Sequence, residues 1–332
     1  MQPSLKWPVY LGAFFLLLVS VSCEKPFHQE TERYVFVATN IGLPYWQEAQ
    51  AGFKDAGRVL GVKFEFEGPE TYSPEEELDT FQKAVASHPS GIVISAAQAD
   101  LFRDPIDAAL EKGVPVICAD SDSPGSKRIM FIGTDNVRAG MEAARHLAAL
   151  LHGEGNLVVI TIPGQPNLEE RLRGAKEVLA GFPRIKIVQT LDDKGDPRLA
   201  NDEISALLDH KQKFNAILCL EASGGPGAAE VLHRLSLVGS ITIVATDKSP
   251  ETMDWISQGA ISGTIAQKPY TMAFYGLRFL DDLHHNIVHQ FKDWRTVPAS
   301  PLPAWVDTGT AWIDSSNVAA FQAAEPVRNP LL

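Results

Sequence analysis

Tyr34-Val-Phe-Val-Ala-Thr-Asn-Ile-Gly-Leu-Pro-Tyr-Trp-Gln-Glu-Ala-Gln-Ala-Gly-Phe-Lys-Asp-Ala-Gly57 decides the fold. Tyr34 to Ala38 is an apolar run rich in β-branched and aromatic residues, as a strand buried on both faces requires, and Asn40-Ile-Gly-Leu-Pro44 breaks it. Ala49, Phe53, Ala56 and Leu60 then recur at helical spacing, so one helix face can pack back onto the strand. The unit is strand, loop, helix. Its loop falls at the carboxyl end of a strand, where open parallel sheets bind ligands. Asn40, Tyr45 and Trp46 therefore face a predicted crevice with one amide and two flat apolar rings. The competing account makes Tyr45 and Trp46 a hydrophobic staple under the loop.

The same unit recurs along the chain. Strands are predicted at Val62–Glu67, Gly91–Ser95, Val114–Ala119 and Met130–Asn136, separated by helices at Pro74–Val85 and Phe102–Lys112. Arg138–Leu151 is a helix with Met141, Ala144, Leu147, Ala148 and Leu151 inward. A second series comes next: strands at 157–162, 185–190, 215–220 and 241–245, with helices near 168–180, 197–209 and 226–236. Such alternation implies a doubly wound parallel sheet in each half, hence an α/β protein of two lobes with a shared site between their carboxyl edges. Ile261–Ala266 and Gln267-Lys-Pro-Tyr270 would cross back to the first lobe, with a helix from about Thr271 to His289 packing there. Leu302–Phe321, short strands beside the prolines at 298, 301 and 303, forms a return and a tail.

Composition narrows the function. A length of 332 residues suits two domains, each able to bury its own core. A net charge of −12 with no Lys/Arg-rich tract argues against nucleic acid as partner. Residues 1–22 carry one charged side chain, Lys6, and then the apolar run Val9–Val19, too short for a membrane span and typical of an export signal. Cys23, after Ser22, resembles the lipidated cysteine of bacterial lipoproteins, although Ser20 stands where that motif prefers Leu. Residues 23–32 would then be a polar, lipid-anchored tether. Cys118 and Cys219 lie in apolar runs in different halves and are expected as inert buried thiols.

Polar residues stand beyond the end of each predicted strand: Asn40; Ser95 and Gln98; Asp120 and Asp122; Asn167, Glu169 and Arg171; Glu221 and Ser223; Asp247 and Lys248; Gln267. Carboxylates and amides match hydroxyls, Arg reaches two oxygens at once, and flat rings cover the C–H faces of a sugar, so the inventory suits a neutral polyol. Individually, Asp120 and Asp247 could cap the segments after them, and Glu221 could be a solvated loop acid. Ser223-Gly-Gly-Pro-Gly227 lacks the Lys of a phosphate loop and reads as a tight turn lining the cleft. His285 and His289 stand at i, i+4 beside His284, but without an acid motif between them they read as a solvated face, and neither metal nor cofactor is assigned. Asp120 and Asp122 could flank a glycosidic bond only with difficulty from one short loop.

In order along the chain, Asn40…Pro44-Tyr45-Trp46, Gly113-Val-Pro-Val-Ile-Cys-Ala-Asp120, Ile132-Gly-Thr-Asp-Asn136, Asn167-Leu-Glu-Glu-Arg171-Leu-Arg-Gly174, Ile243-Val-Ala-Thr-Asp247, Thr264-Ile-Ala-Gln267 and Asp307-Thr-Gly309 resemble the ribose-binding-like periplasmic sugar-binding proteins that serve ABC importers. The resemblance spans about Arg33 to Phe321. It implies a type I periplasmic binding fold, with residues 33–135 plus 268–296 as one lobe, 136–267 plus 297–332 as the other, and a three-segment hinge near Asp135-Asn136, Gln267-Lys268 and Val297. Asn40 and Asp120 would hold a small sugar or polyol from the first lobe, Tyr45 and Trp46 would stack on it, and Arg171, Asp247 and Gln267 would bond from the second. Two positions depart from the ribose pattern: Ser121-Asp122 replaces an Asp-following Arg, and Glu221-Ala222 replaces an Asn-Asp pair, which changes the hydroxyls that can be satisfied. The implied activity is capture by lobe closure, without chemistry, then docking on an ABC permease, the protein being exported and held at the membrane through Cys23. A sensory protein of the same fold that docks on a membrane receptor is the alternative, and a glycoside hydrolase a weaker one.

Overall fold

The computed structural model describes residues 27–285, 293–296 and 300–323; the leader at 1–22, Cys23, His289 and Val297 lie outside them. The first series is β1 (Arg33–Val37), α1 (Pro44–Leu60), β2 (Lys63–Glu67), α2 (Pro74–Ala86), β3 (Gly91–Ile94), α3 (Ala99–Glu111), β4 (Val116–Ala119) and β5 (Phe131–Gly133). The second is α4 (Asn136–Leu150), β6 (Glu154–Thr161), α5 (Pro166–Leu179), β7 (Arg184–Asp192), α6 (Pro197–Asp209), β8 (Ala216–Cys219), α7 (Gly224–Arg234), β9 (Thr242–Thr246), α8 (Pro250–Ser257) and β10 (Gly263–Ala266). The chain finishes with α9 (Pro269–His284), β11 (Trp305–Asp307), β12 (Ala311–Ile313) and α10 (Val318–Ala323).

Two six-stranded sheets result, ordered β2-β1-β3-β4-β5-β11 and β7-β6-β8-β9-β10-β12. Each begins with the 2-1-3-4-5 order of a doubly wound sheet, and only β12 runs antiparallel to its neighbour among the paired strands. The central strands are buried on both faces: every residue of β3, β4, β8 and β10 is covered. Helices on both sides supply the cover, Phe53 of α1 and Leu277 and Leu280 of α9 on one face of the first sheet, Phe81, Phe102 and Ile106 on the other. Cys118 and Cys219 are free and fall in β4 and β8, in different sheets.

Helix α8 is not legible in the periodicity; Ser249 caps it, its hydroxyl accepting from Thr252 N at 3.1 Å, and Pro250 opens it. The third chain crossing also differs from expectation. Residues 305–307 pair in parallel with β5 in the first sheet, so the crossing lies at Thr308–Thr310 and this stretch does not belong to the second lobe. The three crossings are tied together: Thr134 Oγ1 donates to Gln267 Oε1 at 2.8 Å, and Asp307 Oδ1 accepts from Asp135 N at 3.2 Å and from Gly309 N at 2.8 Å. Finally, the last residues of the expected tether are fixed to the first lobe, Glu32 being buried and His28 contacting Asp281 of α9, while Phe27, Gln29, Glu30 and Thr31 stay exposed.

Candidate functional site

Asp120 and Asp247 occupy equivalent places in the two lobes, each the residue immediately after the fourth strand of its series, β4 or β9. Both sit in the left-handed region, with φ of 64° and 71°. That conformation, which Asp and Asn tolerate better than other side-chain-bearing residues, ends the strand abruptly and turns the carboxylate out of the sheet edge. The two carboxylates thereby enter one cleft of about 460 Å³ between the lobes. Thr39, Asn40, Tyr45, Trp46 and Tyr72 line it from the first lobe, and Gln165, Asn167, Arg171, Glu221 and Gln267 from the second and its crossing.

A hydrogen-bond network runs through the walls. Tyr45 Oη donates to Asp120 Oδ1 at 2.6 Å, while Ser95 Oγ and Asn167 Nδ2 donate to Oδ2, each at 3.2 Å; the last of these joins the lobes. Arg171 is buried, and each of its three nitrogens donates once, Nε to Asn136 Oδ1 at 2.9 Å, Nη1 to Leu220 O at 2.7 Å and Nη2 to Gln267 Oε1 at 2.7 Å, which leaves one N–H on each Nη for a ligand. Gln267 passes the connection on, its Nε2 donating to Asp247 Oδ1 at 2.9 Å. Helix α5 can place Arg171 here because it meets α4 backbone to backbone. A Cβ on Gly140 would stand 1.9 Å from Arg171 O, and one on Gly174 2.0 Å from Val137 O.

Burial sets the electrostatics. It pushes the Asp247 carboxyl up to about 7, Asp120 and Glu221 adding to the rise while Arg171 and the Gln267 amide oppose it. Asp120 is raised for the same reason, against the pull of Arg171, Tyr45 and Ser95. One cation thus serves several carboxylates in a covered space, so each remaining carboxylate lone pair is a strong acceptor for an incoming hydroxyl.

Nine of the ten ligand residues anticipated from sequence line this cleft: Asn40, Tyr45, Trp46, Asp120, Asn167, Arg171, Glu221, Asp247 and Gln267. Asp122 does not. Two residues beyond the left-handed turn, its carboxylate faces Arg128, whose Nη2 donates to Oδ2 at 2.6 Å. The aromatic pair is set edge to face, with ring centroids 5.0 Å apart, and Trp46 also leans on Phe36 of the core. Glu221 spends part of its capacity on the helix after it, accepting from Ser223 N at 2.6 Å and from Gly224 N. The glycine-rich turn therefore has its first amides occupied and offers no anion cradle.

Asp193 was missed in the sequence. It is fully buried behind Gly195 and Glu221, and its Oδ1 accepts from Gly195 N at 3.2 Å. Burial and the adjacent Glu221 carboxylate drive its own carboxyl far above the usual range, and its Oδ2 is buried with no hydrogen-bond partner among the described residues. Asp192-Asp-Lys-Gly-Asp196 reads as a solvated turn, yet it comes after β7, and the rule that exposed Asp247 would have found it. Tyr72 and Gln165 were likewise not singled out.

Residues 34–285 match the family model described as a periplasmic binding protein domain. The chain belongs to this family. Its members are exported solute-binding proteins and not enzymes, which agrees with the resemblance drawn from the motifs. Among solved structures, the sugar-binding protein of a sugar ABC transporter from Bacillus halodurans is 35% identical, covering 87% of this chain and 99% of its own, with a TM-score of 0.75. AraP, an arabinose-binding protein from Geobacillus stearothermophilus, is also 35% identical over the same shares, with a TM-score of 0.72. A chain in the XylFII–LytSN complex is 27% identical, covering 87% and 99%, with a TM-score of 0.78.

Proposed function

We propose that this chain is the lipid-anchored substrate-binding component of an ABC-type sugar importer, and that it captures a small sugar or polyol by closing its two lobes, without chemistry. The observation that carries the reading is the pair Asp120 and Asp247, one from each lobe, turned into a single cleft with Arg171 and Gln267 between them. A ligand with hydroxyls on both sides gains contacts to both lobes only when they are together, and that differential is what favours closure. Crossings at Thr134–Asp135, Gln267–Lys268 and Thr308–Thr310 would act as the hinge, and Gln267 belongs to both hinge and site. The sugar class is supported by the names of the solved neighbours, one sugar-binding and one arabinose-binding. The acyl chain on Cys23 is supported by the apolar run before it alone.

No chemistry is proposed, because the second carboxylate of the would-be glycosidic pair, Asp122, is turned away to Arg128. A sensory role is the second reading, favoured by the likeness to a chain found in the XylFII–LytSN complex: the closed form would then dock on a receptor instead of a permease. A thermal-shift panel of D-ribose, L-arabinose, D-xylose, D-allose, D-galactose and xylitol tests the binding claim. A sugar at a hundred times its Kd stabilises the folded state by about 2.7 kcal/mol, a rise of roughly 5 °C for a chain of this size. No shift with any of the six at 10 mM would reject the sugar class.

A further inference from the structure

At the opposite end of the first lobe from the cleft, two short spacings converge. His28 and Glu32 precede β1, and Asp281 and His285 close α9, each pair four residues apart. The four side chains bring one ligand atom apiece to within 4.8 Å of all the others. His28 Nε2 lies 3.1 Å from Asp281 Oδ1, His285 Nε2 lies 3.1 Å from Glu32 Oε2, and His285 Nε2 lies 3.5 Å from Asp281 Oδ1. A tetrahedral ion with bonds of about 2.0–2.2 Å to nitrogen and oxygen has ligand-to-ligand edges of roughly 3.3–3.5 Å. The three short separations, 3.1–3.5 Å, are close to such edges, and the widest, up to 4.8 Å, would close by side-chain rotation on binding.

Charge and support point the same way. Glu32 and Asp281 are each 3% exposed, so two carboxylates sit together out of water. Neutralising them with two imidazolium rings would place like charges on rings whose centroids are 4.9 Å apart, His28 against His285. A divalent ion bound by two neutral imidazoles removes both difficulties. The carboxylates are also oriented from behind, as metal-bound carboxylates are: Tyr34 Oη donates to Asp281 Oδ1 at 3.2 Å, and Gln29 N donates to Glu32 Oε1 at 2.7 Å.

We infer that His28, Glu32, Asp281 and His285 form a binding site for a divalent transition ion of the zinc class. Two imidazoles exclude calcium and magnesium, which take oxygen ligands. The ion clamps the segment that enters β1 onto the end of α9, a cross-link of residues 253 apart between His28 and Asp281. His285, expected on a solvated face with His289, is half-buried in this cluster instead. The cluster stands apart from the cleft and does not depend on what the cleft holds.

The test uses tag-free protein stripped with chelator, titrated calorimetrically with zinc chloride, with calcium and magnesium chloride as controls. One zinc per chain is expected with a Kd at or below about 1 μM, and His28→Gln and His285→Gln should each weaken it at least about 100-fold. His28→Gln alters the more exposed partner and leaves the α9 core intact, so folding is not at issue for it. Zinc should raise the melting temperature of the wild type and not of either variant. The inference is overturned by a wild type that takes up no stoichiometric zinc at 50 μM, or by zinc affinity that survives both substitutions.

Discussion

Asp247→Asn isolates the charge of one wall of the cleft. Asn tolerates the left-handed backbone that this position requires, at φ 71°, and its Oδ1 can still accept from Gln267 Nε2. The shape of the site is kept; what changes is the second oxygen, which becomes an amide that donates where a sugar hydroxyl also donates. A hydrogen bond to an ionised acceptor contributes about 1.5–3 kcal/mol, so losing it should raise Kd by about 10- to 150-fold. Stability should move the other way. Burial pushes the Asp247 carboxyl up to about 7, so holding it ionised in the closed, sugar-free protein is unfavourable, and the neutral amide removes that cost. Calorimetric titration with the panel sugar of highest affinity, beside a thermal melt of sugar-free protein, reads both quantities. Weakened binding with an unchanged or higher melting temperature is the expected pair. A Kd within threefold of wild type would refute the placement of Asp247 against the ligand, and weak binding with a large drop in melting temperature would show a structural carboxylate.

Arg171→Met removes the cation and leaves Leu220 O and a shared Gln267 Oε1 without their charged donor, so binding should weaken more than tenfold and stability should fall by about 3–5 kcal/mol, read from affinity and from denaturant unfolding; wild-type values in both would contradict the network. For Asp193→Asn the sign comes from its raised carboxyl: the proton held in the folded state stabilises fully below the ordinary value of 3.8, and that contribution is lost as pH rises toward the folded value. The Asn amide carries no charge at any pH, so the variant's gain in melting temperature should grow from pH 4 to pH 8, and a gain independent of pH would argue against a raised Asp193 carboxyl. Lys248 of the second lobe pairs with Glu48 of α1 at the mouth of the cleft, where both side chains are about one-third exposed. Lys248→Ala should therefore cost at most about 1 kcal/mol, about a fivefold change in Kd at most, which shrinks further in 0.5 M salt; a hundredfold loss would make this pair part of the binding site.

The alternation of buried strands and amphipathic helices was legible because a parallel strand covered on both faces must be written as an apolar run, as β3, β4 and β8 are throughout and β1 and β9 are over Tyr34–Val37 and Ile243–Ala245. Asp120 and Asp247 were legible for the same reason: a carboxylate directly after such a run has nowhere to go but the sheet edge. Direction was not legible. Asp120 and Asp122 are two residues apart, and only the left-handed turn at Asp120 decides that one faces the cleft and the other faces Arg128. Asp193 was hidden by its own neighbourhood, an acidic run that composition assigns to solvent, although the residue is fully buried. The third crossing was misplaced because Trp305–Asp307 is too short for periodicity to assign, and its pairing with β5 depends on contacts such as that of Thr308 with Gly133, 175 residues distant along the chain. The cluster at His28 and His285 could be written only after α9 had brought together two segments that sequence keeps far apart.

The central claim is that one small sugar bridges both lobes, and a crystal structure of the protein with its best panel sugar tests it most directly. The account predicts one sugar in the cleft, its hydroxyls within about 2.5–3.0 Å of Asp120 from the first lobe and of Asp247 from the second. A sugar held by one lobe alone, or lying outside the space lined by Asn40, Arg171 and Gln267, would contradict it.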